Sequence, residues 1–506
     1  MSRLARTCIA ILLVATAIRL ATLGAYPLAD TTEARYSEIA RLMLVSGDWI
    51  TPQIEVDVPF WAKPPLSTWL TAASFKAFGV SEFSARLPVF LLLLGCVWVI
   101  VSFGKTTHDL TTGLAAGAII LTSGLGFVSA GAVMTDPVLL LCTTFVMVAF
   151  WRAVIGRQTQ WGYVFFVALA LGLLAKGPVA WVLSLVPIVA WVLWRRQWRA
   201  VRRQLPWGLG LALIVVIAVP WYLAAEMKTP GFLNYFLVGE HWLRFVDSGW
   251  TGDLYGTAHA EPKGMIWPFW LGSVFPWSLV ALLVFIRWRR DESRPALSDW
   301  HRYLVLWAVT PMVFFSFAGN ILPAYVLPGV PAFALLLARP LVVRNSSLLH
   351  VAWIIPILFV VLGPLVIYER LADRSQHDLI QYVQNRTDVE RLVYLYKPPY
   401  SANFYSAGNV AIAASPEELD RLLDRPGRDY VVVKKSRKND LPRLLQERLD
   451  VVRGYSRFLL MVQSVADNER LTASGAVSGC LGYDEPLPQN CESGHTDDHD
   501  SHNVQR

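Results

Sequence analysis

Long apolar segments recur through most of this 506-residue chain and restrict what it can fold into. A helix that crosses the hydrocarbon core of a bilayer needs ~20 predominantly apolar residues. About eleven runs near that length lie near positions 7 to 24, 86 to 103, 112 to 131, 135 to 150, 161 to 176, 178 to 194, 207 to 225, 266 to 286, 303 to 318, 322 to 338 and 348 to 367. A composition of 54% hydrophobic and 16% charged residues is too apolar for an ordinary soluble domain. The sequence therefore predicts an all-α polytopic membrane bundle of about 11 to 13 transmembrane helices.

Lysine and arginine fall in every second connection between these runs, as in RRQWRAVRR at 195 to 203 and RWRR at 287 to 290. Because short cytoplasmic loops carry an excess of Lys and Arg, the alternation predicts that these loops and the N-terminus face the cytoplasm. The remaining connections and the chain after residue 368 then face the other side. The net charge of +7 is thus explained by topology and by contact with anionic lipids rather than by nucleic-acid binding.

After residue 368 the pattern changes to short amphipathic pieces, including RLVYLYK, DYVVVKK and a helix opened by SPEELDRLL. Short strands that alternate with helices predict a small α/β domain. The final segment is rich in Gly, Ser, Asp and His, which favours disorder. We expect residues 1–368 to form the membrane domain, 369–466 the α/β domain outside the membrane and 467–506 a disordered tail, in which Cys480 and Cys491 could form a disulfide.

The segment from Asp30 to Trp69 lies between two apolar runs but is dense in acidic, basic and aromatic residues. A D-x-x-E pattern from Asp30 to Glu33 precedes an apolar-periodic stretch, which predicts a capped helix. A second amphipathic stretch runs from Leu66 to Phe78. We expect two interfacial helices over the bundle rather than another crossing.

Helix capping leaves most of the polar and aromatic side chains of this segment unexplained. They are Arg35, Tyr36, Asp48, Trp49, Trp61 and Lys63. Arg and Lys at a membrane surface suit a phosphate, whereas Trp and Tyr suit a sugar or an isoprenoid chain. The combination indicates a phosphorylated lipid substrate, and the sequence contains no dinucleotide or nucleotide-sugar fingerprint.

Several motifs resemble those of polyprenyl-phosphate-sugar-dependent membrane glycosyltransferases. They are TEARYSEIARLMLVSGDWITP, PFWAKPPLSTW, MTDPVLLL, LAKGP, EHWLRF and NILPAYVLPGVPA, in the family's order. The resemblance covers most of the chain and is in particular to the bacterial transferases that place 4-amino-4-deoxy-L-arabinose on lipid A, with protein O-mannosyltransferases as relatives. It implies the C-type glycosyltransferase fold in a bacterial inner membrane, with the active cavity and the C-terminal domain on the periplasmic side.

The resemblance also implies a reaction. An inverting glycosyltransferase of this kind moves a sugar from a polyprenyl-phosphate donor to a periplasmic acceptor, here lipid A or another envelope glycolipid, without a cofactor or nucleic acid. A protein hydroxyl is the alternative acceptor within the family. A transporter or lipid flippase is the alternative from another class, but such proteins usually bind substrate near the bilayer midplane. The candidate charges here lie at outer helix ends and in outer loops instead.

Carried over residue by residue, the resemblance implies two groups of site residues. Those expected to bind the donor phosphate are Arg35, Tyr36, Lys63, His241 and Arg244. Those expected to line the cavity are Asp136, Lys176, Glu240, His259 and Tyr325. For Asp136 a helix start, and for Lys176 a snorkelling side chain, are the alternative interpretations.

Two positions depart from the family's pattern. Thr32 stands where the family commonly has an Asp that activates or positions the acceptor. Asp30 and Glu33 are therefore expected to act jointly as the catalytic carboxylates, unless an ionised phosphate acceptor needs no base. Ala62 stands where lipid A transferases often carry a Glu that can hold a metal ion, so no metal is expected.

Overall fold

The computed structural model describes residues 1–247, 249–256, 259–291, 297–366, 372–387, 389–424 and 428–464. The chain divides into two compact units. The first contains Met1–Arg386, Lys397–Val410 and Tyr455–Arg457, and the second contains Thr387–Tyr396, Ala411–Gly454 and the residues from Phe458 onward. The predicted tail at 467–506, with its two cysteines, lies outside the described residues. The predicted boundary at residue 368 stays a prediction.

Every apolar run predicted to cross the membrane is helical. The helices are Arg3–Thr22, Glu82–Thr107, Leu110–Thr122, Gly124–Ser129, Asp136–Phe150, Gln160–Lys176, Pro178–Arg195, Trp207–Lys228, Ile266–Ser273, Trp277–Arg290, Asp299–Phe315, Val330–Arg344 and Ile354–Val366, with π or 3-10 turns at Trp151–Ile155, Pro323–Gly329 and Ser346–Trp353. Within the described ranges, seven helices are long and apolar enough to cross a membrane, or eight if a pair bent by 98° forms one span. The predicted helical membrane bundle is confirmed, whereas the number of crossings stays a prediction.

The membrane helices pack around one large apolar core. The helices Glu82–Thr107 and Leu110–Thr122 pack closely, since a Cβ on Gly104 would lie 2.6 Å from the Cα of Gly113. Small residues let two helix backbones approach in this way, as membrane helix pairs often require.

Three arginines pair with acidic residues that lie in other connections of the bundle. They form the ion pairs Arg339–Asp109, Arg344–Asp291 and Arg195–Asp299, at 2.7, 2.6 and 2.8 Å. The side of the membrane that these loops face stays a prediction.

Two helices occupy the first outer loop, at Thr32–Ser46 and Leu66–Phe78, where the sequence predicts them. The cap predicted at Asp30 is wrong, because the first of these helices begins at Thr32 and its N-cap residue Thr31 makes no side-chain hydrogen bond. The helix ends at Gly47, whose left-handed φ of 69° suits a helix C-terminus.

Shorter elements complete the first unit. They are the helices Trp198–Gln204, Phe232–Asn234, Tyr235–Leu243, Arg244–Val246, Ala372–Arg374, His377–Gln384 and Tyr400–Tyr405, and the antiparallel strands β1 (Gln53–Glu55) and β2 (Val58–Pro59). The helix Tyr400–Tyr405, which the sequence did not predict, packs on the first outer loop. The amide of Leu28 donates to the Tyr405 hydroxyl at 2.7 Å, and Phe404 packs against Phe75.

The second unit is built on a five-stranded sheet. Its strands are β3 (Arg391–Leu395), β4 (Ala411–Ala413), β5 (Asp429–Lys434), β6 (Leu449–Gly454) and β7 (Phe458–Gln463), in the order β4-β3-β5-β7-β6. Strands β4, β3 and β5 are parallel, and β7 is antiparallel to both β5 and β6. The helices Pro416–Leu423 and Arg443–Arg448 and the 3-10 turn Lys435–Asp440 connect them. The small sheet predicted near the C-terminus is therefore present.

Candidate active site

A cavity of about 290 Å³ lies in the first unit. It is lined by Lys63, Leu139, Lys176, Pro178, Val179, Val182, Leu183, Glu240, His241, Trp242, Arg244, Phe245, Phe314, Phe315, Asn320 and Tyr325. Six of these, namely Lys63, Lys176, Glu240, His241, Arg244 and Tyr325, were predicted site residues. The fold therefore brings these six side chains together from the first outer loop, from the second outer loop at 229–265, from the end of the helix Gln160–Lys176 and from the 3-10 turn Pro323–Gly329.

Glu240 holds two cations at this cavity. Its carboxylate accepts a hydrogen bond from Lys63 Nζ and hydrogen bonds of 2.9 and 3.1 Å from Arg244 Nη1. Arg244 Nη1 also lies 3.2 Å from Asp253 Oδ2. Burial opposes ionisation of Glu240, but the two cations outweigh it and lower the pKa of this carboxyl. Together the four side chains carry two positive and two negative charges.

A second ion pair lies beside Tyr325. Lys176 Nζ donates to Asp136 Oδ1 at 2.6 Å and stands 4.7 Å from the centre of the Tyr325 ring. Asp136 is also the first residue of its helix. It is not among the residues that line the cavity, so its predicted cavity role stays a prediction. Lys176 ends its own helix and is buried. Its ammonium is thus held at the cavity rather than extended to a membrane surface.

His241 contacts backbone carbonyls through both ring nitrogens. Nδ1 lies 2.7 Å from the Phe236 oxygen and Nε2 lies 3.1 Å from the Lys176 oxygen. Burial lowers the pKa of His241, against the raising effect of these two carbonyl contacts. Gly177 permits this close contact: its φ is +73° and a Cβ there would lie 2.6 Å from Phe236 Cζ.

Apolar side chains form the rest of the cavity wall. They include Leu139, Val179, Val182, Leu183, Phe245, Phe314 and Phe315. Charges beside such a wall are poorly screened by water, which strengthens their interaction with an anionic ligand. A charged phosphate attached to an apolar chain would match both parts of this cavity.

Arg35 and Tyr36, also predicted to bind phosphate, are not among the residues that line the cavity. Arg35 Nη1 donates to the Tyr255 carbonyl at 3.0 Å, and its guanidinium lies 5.2 Å from the centre of the Tyr36 ring. Tyr255 in turn donates from its hydroxyl to the Pro59 carbonyl at 2.7 Å. These contacts join the first outer loop to the second, and the phosphate role of Arg35 and Tyr36 stays a prediction.

Glu33 is held by contacts typical of a structural residue. Its carboxylate accepts hydrogen bonds from Arg86 Nε at 3.0 Å and Arg86 Nη2 at 3.1 Å. The amide of Val133 also donates to Glu33, at 3.0 Å. The Arg86 side chain is fully buried. Glu33 therefore compensates a buried charge, and its predicted catalytic role is not supported by these contacts.

Asp30 is engaged by Ser401. Its carboxylate accepts a hydrogen bond from the Ser401 hydroxyl and one of 3.1 Å from the Ser401 amide. Burial raises the pKa of Asp30 to about 6, against the lowering effect of these hydrogen bonds. Asp30 is likewise outside the set of cavity-lining residues.

Asp30→Asn is expected to remove a pH dependence of stability between pH 3.8 and about 6. In this window the folded protein binds more protons than the unfolded chain, so the contribution of Asp30 to the free energy of unfolding falls as pH rises and then levels off. The amide keeps an acceptor for Ser401. Thermal unfolding of both proteins across this pH range should show the variant gaining stability relative to the wild type as pH rises. Loss of sugar transfer at unchanged stability would instead support a catalytic Asp30.

The remaining predicted positions lie elsewhere. The His259 side chain is exposed, while its carbonyl accepts a 3.2 Å hydrogen bond from the Ile321 amide. Thr32 is exposed at the start of its helix. Within the described ranges, no group of three or more His, Cys, Asp or Glu side chains could hold a metal ion. The expectation of no metal stays a prediction.

Three contributors to this region were not predicted: Asp253, Tyr255 and Arg86. The E-x-x-x-R spacing from Glu240 to Arg244 indicates an ion pair on one helical face. In contrast, Asp253 and Tyr255 lie in an irregular loop with no periodic pattern. Arg86 is a charged residue in an apolar run, and the sequence does not indicate which residue it pairs with.

Known proteins are similar to this chain in sequence and in fold. The profile of the family described as Dolichyl-phosphate-mannose-protein mannosyltransferase matches residues 4–236. A Pseudomonas savastanoi pv. phaseolicola protein named Undecaprenyl phosphate-alpha-4-amino-4-deoxy-L-arabinose arabinosyl transferase is 31% identical over 325 residues, 63% of this chain and 58% of that protein. The chain is similar in sequence to polyprenyl-phosphate-sugar-dependent membrane glycosyltransferases.

Further comparisons extend this relationship. An Enterobacter sp. protein with the same name is 31% identical over 313 residues, 61% of this chain and 54% of its own length. The chain thus spans less than two thirds of the curated relatives it matches. In fold it is similar to ArnT from Cupriavidus metallidurans bound to undecaprenyl phosphate, with a TM-score of 0.72, 20% identity, and 91% of this chain and 98% of that chain covered. The apo structure of ArnT gives a TM-score of 0.71. By its fold, the chain is a multi-pass membrane protein.

Proposed function

We propose that this chain transfers a sugar from a polyprenyl-phosphate donor to lipid A or another envelope glycolipid. The observation that carries the proposal is the single cavity where Lys63, Arg244 and Lys176 meet beside an apolar wall. The names of the curated relatives, which specify an undecaprenyl phosphate-linked aminoarabinose and an arabinosyl transferase, support this class of donor. In this proposal the N-terminus and the basic loops face the cytoplasm, and the cavity and the α/β domain face the periplasm.

Lys63 and Arg244 bind the donor phosphate in the proposed reaction. An acceptor oxygen attacks the anomeric carbon of the sugar from the face opposite the phosphate, and a new carbon–oxygen bond forms with inversion. The bond from that carbon to the phosphate oxygen breaks, and its electron pair stays on the phosphate. The leaving polyprenyl phosphate gains a negative charge, which the two cations stabilise.

Possible acceptors differ in whether they must lose a proton during the transfer. A hydroxyl must lose a proton to a base, whereas a phosphate oxygen is already ionised at neutral pH. Asp30 is held by Ser401, Glu33 is held by Arg86, and position 32 is a threonine. These contacts favour a phosphate-bearing acceptor, such as a phosphorylated envelope glycolipid, over a protein hydroxyl.

Mass spectrometry of lipid A and of total envelope glycolipids tests the proposal in cells with and without the gene. A sugar-sized mass lost from one of these lipids on deletion, and restored by the wild-type gene, is the expected result. A sugar lost from a protein instead would move the acceptor to a hydroxyl. No change in any glycolipid or glycoprotein would contradict the transferase function and favour a transporter.

A further inference from the structure

Glu240 occupies the two cations that the proposed function assigns to the donor phosphate. Its side chain is 5% exposed and pairs with both Lys63 and Arg244. A phosphate that enters the cavity must therefore share these cations with a fixed negative charge. That arrangement is unexpected if the site has evolved only for tight phosphate binding.

Both cations can bind a second anion without leaving Glu240. Lys63 donates to Glu240 and, at 2.8 Å, to the Ala62 carbonyl, which leaves one of its three protons for a ligand. In the described part of the chain, Arg244 binds its carboxylates through Nη1. Its other nitrogens can then donate to a phosphate. The ligand would consequently lie close to the Glu240 carboxylate and be repelled by it.

We infer that Glu240 is a positioning residue that weakens binding of the released polyprenyl phosphate and so promotes its departure after each transfer. This inference rests on the proposed function. Glu240 shares Lys63 and Arg244 with the phosphate and repels it, and the bonds that form and break in the sugar transfer are unchanged.

The charges before and after the reaction give the physical reason. Lys63, Arg244 and Glu240 together carry a charge of +1, and the donor phosphodiester carries a single negative charge. The product is a phosphate monoester with a charge of about −1.5 to −2 at pH 7. Repulsion by Glu240 therefore increases when the product forms, at the moment when the ligand has to leave. Asp253, whose carboxylate pairs with Arg244 but not with Lys63, adds to this repulsion.

Glu240→Gln tests the inference, because the amide keeps a hydrogen-bond acceptor for the two cations but removes the charge. The full-length protein in lipid nanodiscs is titrated with undecaprenyl phosphate, and kcat and KM are measured with the polyprenyl-phosphate sugar donor. We expect undecaprenyl phosphate to bind the variant roughly tenfold more tightly, since a charge a few ångströms away acts in a weakly screened site. The KM for the donor should fall less, and kcat should fall with a burst of product in the first turnover.

Two further variants complete the design. Asp253→Asn should tighten binding of undecaprenyl phosphate in the same direction but by a smaller factor, and it serves as the test if Glu240→Gln does not fold. Asp299→Asn removes an acidic partner of Arg195, and neither residue lines the cavity, so the affinity, KM and kcat should be unchanged. Unchanged or weaker binding of undecaprenyl phosphate to Glu240→Gln, or to Asp253→Asn in its place, would overturn the inference. A wild-type protein that neither binds undecaprenyl phosphate nor transfers sugar would instead overturn the proposed function.

Discussion

Lys63→Ala is expected to reduce sugar transfer by at least about 100-fold while the protein stays folded, because a cation that stabilises the developing charge of the leaving phosphate is lost. Lys63 is one of the two cations that hold Glu240 at the cavity. Without it, Arg244 alone faces Glu240, Asp253 and the incoming phosphate. The net charge of the side chains around the phosphate changes from zero to negative. This change should impair both donor binding and cleavage of the bond between the sugar and the phosphate.

The measurement is transfer by the purified protein in nanodiscs, with the product sugar lipid quantified by mass spectrometry. Lys228→Ala is the matched control, because Lys228 forms an ion pair with Asp48 away from the cavity lining and is 47% exposed. Wild-type activity in Lys63→Ala would contradict the site. Arg35→Ala in the same assay separates two possibilities: an equal loss would place Arg35 in the phosphate clamp, whereas a smaller loss would fit its contact with the Tyr255 carbonyl.

Glu33→Ala is expected to destabilise the protein by about 3–5 kcal/mol, as is typical when one partner of a buried ion pair is removed. The Arg86 guanidinium is fully buried and donates to the carbonyls of Leu23, Tyr26 and Pro27 as well as to Glu33. These neutral acceptors cannot compensate its charge. The Val133 amide would also lose its acceptor. We therefore expect a lower folded yield, with activity reduced in proportion to the folded fraction.

Thermal unfolding and size-exclusion yield of the purified variant, together with transfer per folded molecule, test this expectation. Glu33→Gln should lose less stability, since it keeps an acceptor oxygen for Arg86. Glu447→Ala, at an exposed position in the second unit, should change stability by no more than about 0.5 kcal/mol. A Glu33→Ala protein that unfolds like the wild type but transfers no sugar would contradict the structural role and support the catalytic role predicted from the sequence.

Secondary structure was predictable where the signal is local. Apolar runs identify the membrane helices, and Ser415 marks the start of Pro416–Leu423 by accepting a hydrogen bond from the Glu418 amide. The edge strand β6 was missed because most of its side chains are exposed and its sequence LDVVRG lacks a buried face. The helix Tyr400–Tyr405 was missed because its stability depends on contacts with the distant first loop.

The sequence predicted which side chains contribute to the candidate site, but it did not predict which residues they pair with. The motifs identified Lys63, Lys176, Glu240, Arg244 and Tyr325, all of which line the same cavity. They also suggested Asp30 and Glu33, because a carboxylate was needed near the threonine at position 32. In the folded protein Ser401 binds Asp30, and Arg86 binds Glu33.

The sequence by itself determined that this chain is a helical membrane protein, because the length and polarity of each segment decide locally whether it can cross a bilayer. It also showed the resemblance to polyprenyl-phosphate-sugar-dependent membrane glycosyltransferases, through motifs that are short and contiguous. Only the tertiary structure decided which charges neutralise each other. Lys63 and Glu240 are 177 positions apart and Lys176 and Asp136 are 40 apart. Each pair depends on how helices and loops pack, and a buried charge is stable only beside the partner that packing provides.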